Sequence, residues 1–223
     1  MRVGFIEGCS SALETRCVII TVEIYKRKRK DYMMIKDLIR NNRTYRRFYQ
    51  EAEIDRNVLE ELIDLARLSS CGANLQSLKY VISNKPEKNH LIFQHLKWAG
   101  YLTDWPGPQE GERPSAYIIV LGDRDISQNF FWDHGIACQS ILLGACEKGL
   151  GGCMFGSVDR DGLKNKLGIP ERYEVLLVIA LGKPKEKVVL EELDETGSIK
   201  YWRDEKGVHH VPKRKLEDII LDF

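Results

Sequence analysis

Three short runs rich in β-branched and other apolar residues are spaced along the chain between helical patterns. They cover residues 79–83, 116–122 and 174–182. The second run is apolar enough to be a central strand buried on both faces. Strands separated by helices predict an α/β or α+β fold with three layers.

Apolar positions also predict the principal helices. Val58, Leu59, Leu62, Ile63 and Ala66 share one face of a helix that begins after a suitable N-cap, Asp55. A longer helical pattern over residues 131–148 contains few charges, so it must be covered on several sides. In a domain of this size, a subunit interface is a natural cover. A shorter helix is expected to start near Asp159 and to end at Gly168.

The first 33 residues differ from the rest of the chain. They contain a possible strand over residues 18–24 and five consecutive basic residues, 26–30. A solvated segment is the favoured interpretation of the basic run, and a nucleic-acid or membrane patch is the alternative. Because Met33 and Met34 directly precede the first helical pattern, we predict an N-terminal extension over residues 1–33 and one functional domain over residues 34–223.

The other end of the chain is highly charged from Lys183 onwards. Leu216, Ile219 and Ile220 then give a single amphipathic turn. One turn is not stable alone, so it should dock on its own core or on a partner.

Composition excludes several classes of protein. The 34 basic and 33 acidic residues of the 223-residue chain leave a net charge of +1, which gives no global field for a polyanion. The six cysteines lack the spacing of a zinc site or a disulfide framework and fit a reduced compartment. No apolar run approaches the ~18 residues of a membrane span. We therefore expect a cytoplasmic protein that binds neither nucleic acid nor membrane.

Four segments carry candidate chemistry. Residues 43–48 (RTYRRF) place two arginines and a hydroxyl where a phosphate could accept their hydrogen bonds, although a basic surface turn is the favoured interpretation of this hexapeptide alone. Residues 69–76 (SSCGANLQ) combine small side chains with two amides, which can pair with the imide edge of a heterocycle. Residues 151–157 (GGCMFGS) could present backbone N–H groups. Residues 212–215 (PKRK) form a basic cluster.

The order of these segments resembles the nitroreductase family of FMN enzymes. An Arg-(Ser/Thr)-x-Arg element is followed by Ala-Asn-x-Gln and by a helix that ends in Gly-Leu-Gly at residues 149–151. Leu-Gly-Ile-Pro at residues 167–170, Leu-Gly-x-Pro at residues 181–184 and a basic C-terminus complete the series. The resemblance extends from about Ile35 to the end of the chain.

The resemblance implies a role for particular residues. Those that would hold the phosphate and ribityl chain of FMN are Arg43, Thr44 and Arg46, with Lys213 and Arg214 closing on the phosphate from the C-terminus. Those that would lie near the flavin ring are Asn74, which faces it, Gln76, and the backbone N–H groups of Phe155 and Gly156 near N5. The chain departs from the family pattern at Asn42, where an arginine is common, and at Ser77, where proline is usual.

The resemblance also implies a fold and an assembly. The expected fold is α+β, a three-layer α/β/α sandwich with a mixed, mainly antiparallel sheet. Two copies would form an intertwined homodimer through long helices, with FMN at the interface.

The implied activity is a two-step cycle in which NADH or NADPH, as a transient co-substrate, delivers hydride to FMN N5. A small acceptor such as a nitroaromatic, a quinone or an enone then takes it. Flavin supplies this chemistry, so no catalytic side chain or metal is expected, and a structural role is favoured for His134. An aromatic loop around Trp98, Tyr101 and Trp105 is either a lid or simple packing.

Two alternatives to this activity stay open. One is a related flavoenzyme chemistry on the same scaffold, such as reductive dehalogenation. The other is a nucleic-acid-binding protein that uses its basic segments.

Overall fold

The computed structural model describes residues 34–223 and shows helices and strands in alternation. The helices are α1 (Ile35–Asn41), α2 (Arg56–Leu68), α3 (Pro86–Phe93), α4 (Asp133–Glu147) and α5 (Arg160–Leu167). The strands are β1 (Phe48–Tyr49), β2 (Leu78–Ser83), β3 (Ala116–Asp123), β4 (Gly151–Phe155), β5 (Tyr173–Pro184), β6 (Val188–Glu192), β7 (Trp202–Arg203) and β8 (His209–Lys213). The possible strand at 18–24 and the basic run at 26–30 lie outside the described residues.

Strand β5 organises the main sheet. It pairs antiparallel with β3, which in turn pairs with β2, and it also pairs antiparallel with β4. The last two residues of β5 pair with β1. A parallel bridge joins Thr44 to Gly152, and a separate small sheet, β6–β8–β7, contains the parallel pair β6–β8. The expected mixed, mainly antiparallel arrangement is confirmed.

The two faces of β3 account for the three layers. Its side chains alternate between faces, as in any strand, and every residue of the strand is buried. Ile118 and Val120 pack with α2 and α4 on one side of the sheet, whereas Tyr117 and Ile119 pack with α3 and α5 on the other. The α+β three-layer sandwich is therefore confirmed.

Local signals set several of the helix ends. Helix α2 starts after Asp55 as expected and buries Leu59, Leu62 and Ala66, although the Asp55 carboxylate makes no capping hydrogen bond. Helix α5 is capped by Asp159, whose Oδ1 accepts from the backbone N–H of Gly162 at 3.1 Å. It ends at Gly168, whose φ of +64° is the left-handed conformation that suits glycine.

The glycine-rich segment 151–157 forms strand β4 over its first five residues, a strand that was not predicted from the sequence. Its glycines allow close packing: a Cβ atom at Gly152 would lie 2.6 Å from the carbonyl oxygen of Ala180 on the paired strand β5. One at Gly151 would lie 2.4 Å from the ring of Tyr45. Close packing therefore explains why both positions are glycine, without reference to any ligand.

The charged C-terminal part forms the small sheet, for which the sequence contains no local signal. Beyond that sheet, Leu216, Ile219 and Ile220 are each more than half exposed. The amphipathic turn therefore does not dock on the core of its own chain. Within residues 34–223, no helix is long and apolar enough to cross a membrane.

Candidate functional site

A basic cavity of about 320 Å³ is lined by the segment before β1, by helix α4, by strand β4 and by the small sheet with the residue before β7. We call it the arginine cavity. It brings together four of the predicted site residues, Arg43, Thr44, Arg46 and Lys213. Its other lining residues are Asn42, Gln139, Leu142, Gly152, Met154, Tyr201, His209 and Val211.

The strand β4 holds the arginine segment in place. The backbone N–H of Tyr45 donates to the carbonyl oxygen of Gly152 at 3.0 Å, beside the bridge between Thr44 and Gly152. Arg43 donates from Nη2 to the carbonyl oxygen of Ile39 at 2.6 Å. Its Nε is buried and has no partner among the described residues, so one donor of this guanidinium stays available to a ligand.

Arg46 is buried between two aromatic side chains. Its guanidinium lies 4.5 Å from the centre of the Tyr201 ring, and its Nη1 is 3.2 Å from Nε2 of His209. Since arginine can only donate, His209 Nε2 must accept, which leaves the imidazole neutral with its proton on Nδ1. Burial, reinforced by the charges of Arg46 and Arg203, lowers the pKa of His209 to about 4.

The buried Glu186 carboxylate joins the arginine segment to the small sheet. Its Oε1 accepts from the backbone N–H groups of Arg46 at 2.5 Å and of Arg47 at 3.2 Å. Its Oε2 accepts from Nη2 of Arg203 in β7 at 2.9 Å. One carboxylate therefore holds the backbone of Arg46 and Arg47 against the small sheet.

Arg47 has a structural role and points away from the arginine cavity. It makes two hydrogen bonds of 2.6 Å to the carboxylate of Glu112, which also pairs with Lys185 at 3.1 Å. The hydrogen bonds from Arg47 lower the pKa of Glu112 to about 2, despite the opposing effect of burial. Of the three arginines in residues 43–47, only Arg43 and Arg46 line the cavity.

The segment with Asn74 and Gln76 lies in a different place. Gln76 lines a second cavity of about 210 Å³, the loop cavity, together with Cys71, Tyr80 and Asp133. The loop cavity shares no lining residue with the arginine cavity. Asn74 is exposed and lines neither cavity.

Backbone strain marks this loop. Ala73, Asn74 and Gln76 have φ values of 49°, 54° and 52°, in the left-handed region that residues other than glycine seldom adopt. The loop is anchored by Asp133, whose Oδ1 accepts from the backbone N–H of Gly72 at 2.8 Å. Such strain persists only where surrounding contacts impose it, and it is frequent at ligand sites.

Helix α4 carries both regions. Asp133 at its start holds the loop, while Gln139, six residues later, lines the arginine cavity. At 1.5 Å per residue, these two positions are separated by ~9 Å along the helix. The two polar regions are thus linked through one helix but form separate cavities.

The remaining predicted residues lie outside both cavities. The Phe155 side chain is buried in the core and meets Trp98 edge-on, with ring centroids 4.6 Å apart, whereas Gly156 is exposed. Arg214 is exposed and lines neither cavity. These placements leave the backbone role predicted for Phe155 and Gly156 untested.

The aromatic loop predicted as a lid or as packing contacts the small sheet. Trp105 lies under the guanidinium of Arg203 at 4.7 Å, and the ring of Tyr101 lies 4.9 Å from that of Tyr201. Because Tyr201 lines the arginine cavity, this loop borders the site. Within the described part of the chain, no group of three or more His, Cys, Asp or Glu side chains could hold a metal ion.

Sequence reasoning missed three residues of this region: Glu186, Tyr201 and His209. His209 and His210 stand side by side in the sequence, with nothing to show which is buried. Their roles follow from the pairing of β8 with β6 and β7, which no local pattern predicted.

Comparisons with known proteins agree with the resemblance drawn from the motifs. The model of the nitroreductase family matches residues 39–183, which is more than half of the chain. A relative from Archaeoglobus fulgidus, provisionally named NADH dehydrogenase/NAD(P)H nitroreductase, is 26% identical over 157 residues, covering 67% of this chain and 85% of the relative.

Solved structures show the same fold. A nitroreductase family protein from Streptococcus pneumoniae has a TM-score of 0.63 at 14% identity, covering 85% of this chain and 100% of its own. An FMN-dependent nitroreductase from Clostridium difficile R20291 has a TM-score of 0.54 at 20% identity, covering 67% and 87% of the two chains.

The two adjacent histidines of β8 are predicted to affect stability with opposite signs. His209 is neutral in the fold, so the unfolded chain binds more protons below its ordinary pKa of 6.5, and the free energy of unfolding should fall as the pH falls from 6.5 towards 4. His210 has a raised pKa because of its hydrogen bond to Glu191, supported by Asp204. Its contribution is present below pH 6.5 and is lost as the pH rises through its folded-state pKa.

Urea unfolding at a series of pH values, with His209→Gln and His210→Gln as a matched pair, measures both effects. Relative to wild type, His209→Gln should lose part of the acid sensitivity, and His210→Gln should lose part of the stability at low pH. Equal pH dependence in wild type and His209→Gln would contradict the neutral, buried assignment.

Proposed function

Since this chain belongs to the nitroreductase family, we propose that it is an FMN-dependent oxidoreductase that passes hydride from NADH or NADPH to a small acceptor. The acceptor class that we propose comprises nitroaromatics, quinones and enones. The observation that carries the proposal is the arginine cavity, in which Arg43, Arg46 and Lys213 converge and the Nε donor of Arg43 has no partner in the described part of the protein.

The residues of the arginine cavity fit the phosphate end of FMN. Arg43 offers its unpaired Nε, Thr44 offers a hydroxyl, and Lys213 brings a further positive charge to the edge. Charge-assisted hydrogen bonds from guanidinium groups suit phosphate oxygens. Arg46 adds charge while His209 and Tyr201 fix its position.

FMN, when bound, supplies hydride acceptance and donation at N5. The part of the protein is to bind, to orient and to exclude water. We assign the strained loop of Asn74 and Gln76 to the flavin ring, because its exposed amides can donate to and accept from a heterocycle. The N–H groups of Phe155 and Gly156 are assigned to the region of N5.

A homodimer would bring the loop of one chain towards the arginine cavity of the other. Helix α4 and the residues before it expose apolar side chains, with exposed fractions of 80% for Trp132, 54% for Phe131 and 40% for Ile136. Leu68 at the end of α2 is 66% exposed. Contiguous exposed apolar surface on a folded chain is typical of an interaction site, and the C-terminal turn adds a further segment that requires a cover.

Steady-state kinetics test the proposed activity. With the FMN-loaded protein, NADH or NADPH as donor and a quinone or nitroaromatic as acceptor, a two-step cycle predicts parallel double-reciprocal plots, because donor and acceptor use one site in turn. The apoprotein should show no turnover until FMN is added. No turnover with any donor–acceptor pair by the loaded protein would contradict the proposal.

The phosphate assignment has its own test. Arg43→Ala should weaken FMN binding ten- to a hundredfold, because a charge-assisted hydrogen bond contributes about 1.5–3 kcal/mol, and should leave riboflavin binding nearly unchanged. Arg56→Ala is the matched control, since Arg56 is an exposed arginine paired with Glu60. Fluorescence titration with both flavins measures the dissociation constants, and equal losses for FMN and riboflavin would refute the assignment.

The dimer is tested by placing a charge on α4. Ile136→Glu should convert the dimer to a monomer in sedimentation equilibrium and weaken FMN binding at the same time, because a buried charge is unfavourable at an interface. Ile126→Glu is the control, since Ile126 is 42% exposed but lies outside α4. A wild-type monomer that binds FMN fully would contradict the shared site.

A further inference from the structure

A larger cavity of about 870 Å³ lies apart from both polar regions described above. We call it the acidic cavity. Three parts of the chain line it: the segment after β1, the stretch from Asn84 through α3, and the loop that leads into β3. It shares no lining residue with the arginine cavity or the loop cavity, so binding of flavin does not explain it.

The floor of the acidic cavity holds polar atoms with no partner. Tyr117 is fully buried and Ser115 is 8% exposed, and neither hydroxyl has a hydrogen-bond partner among the described residues. The same holds for Nε of Arg113. Buried polar groups without partners are unfavourable and are rare in folded proteins. Three of them along one cavity indicate a polar ligand.

The contacts of Arg113 determine which ligand atoms could bind at the floor of the acidic cavity. Its Nη1 pairs with Glu110 at 2.7 Å, and its guanidinium lies over the Phe93 ring at 4.4 Å. These contacts hold the group in one orientation while leaving Nε–H free. Because this N–H can only donate and the two hydroxyls can also donate, the ligand must present acceptor oxygens to the floor.

The rim of the acidic cavity carries hydrogen-bond acceptors and negative charge, whereas its floor carries donors. Glu51, Glu53 and Glu87 line the cavity, are exposed, and have no hydrogen bond or ion pair to the described part of the chain. Carboxylates are acceptors only, and they favour a cation. The side chains of Pro86 and Pro114 provide apolar surface along the same cavity.

We propose that the acidic cavity binds a small zwitterion of the amino-acid class, with its carboxylate on the Arg113, Ser115 and Tyr117 floor and a distal ammonium group at the glutamate rim. The site is independent of the proposed flavin chemistry. Its occupant would be recognised by the separation of its two charges, so neither an amine nor a carboxylic acid alone would be held as well.

The test uses 6-aminohexanoate as the probe, with hexanoate and hexylamine as single-ended comparisons. Calorimetric titration of the FMN-loaded full chain should show that 6-aminohexanoate binds at least about fivefold more tightly than either comparison. The advantage of 6-aminohexanoate over hexanoate should shrink at high salt, because exposed charges at the rim are screened.

Variants show whether the two hydroxyls bind a ligand or only stabilise the fold, because the two roles affect probe binding and melting temperature differently. Tyr117→Phe and Ser115→Ala should each weaken 6-aminohexanoate binding several-fold without lowering the melting temperature, because the deleted oxygens have no partner in the fold. Glu87→Gln should weaken 6-aminohexanoate but not hexanoate. Glu217→Gln, which alters an exposed glutamate outside the cavity, is the control and should change nothing.

Two results would overturn the proposal. One is equal binding of the probe and its single-ended comparisons, or no binding of any of them. The other is probe binding that Tyr117→Phe, Ser115→Ala and Glu87→Gln all leave unchanged. Neither result bears on FMN binding, so failure here is distinguishable from failure of the proposed function.

Discussion

The buried Glu186 carboxylate is the contact on which the candidate site depends. It holds the backbone N–H groups of Arg46 and Arg47 from one side and the guanidinium of Arg203 from the other. Its side chain is fully buried, and removing one member of a buried pair of this kind typically costs about 3–5 kcal/mol. Through this carboxylate, the small sheet and the arginine segment form one unit.

That unit concentrates positive charge in a small volume. Three neighbours stabilise the positive charge of Arg46. They are the neutral imidazole of His209, the face of the Tyr201 ring, and the carboxylate of Glu186, which accepts from the backbone N–H of Arg46. Arg47 is neutralised separately by Glu112. Arg43 lines the arginine cavity with one guanidinium donor that has no partner among the described residues, and this is the donor that we propose for a phosphate. The strained loop near the start of α4 is a second polar region, separate from the arginine cavity within one chain.

The sequence predicted those features that depend on neighbours in the chain. The apolar stripe of α2, the start of α5 near Asp159, its end at Gly168 and the buried strand β3 were all predicted, because hydrophobic period and helix-end residues are local signals. The assignment of Arg43, Thr44, Arg46, Lys213 and Arg214 to a phosphate came from the order of motifs and stays a prediction. The structure gathers the first four in one cavity and leaves Arg214 outside it.

The small sheet could not be predicted in the same way. Strands β6 and β8 pair in parallel across a long connection in a charged segment, so their stability comes from contacts distant in sequence. The unequal burial of His209 and His210 follows from that pairing. Strand β4 was missed for a different reason: glycine has low strand propensity, and the close approach of Tyr45 and Ala180 that requires glycine here is visible only in the folded chain.

The most direct test of the central claim is the visible spectrum of the purified protein before and after NADH or NADPH is added without oxygen. The account predicts a yellow protein that releases FMN on denaturation and bleaches with at least one of the two nucleotides. A colourless protein that also fails to bind added FMN would contradict it.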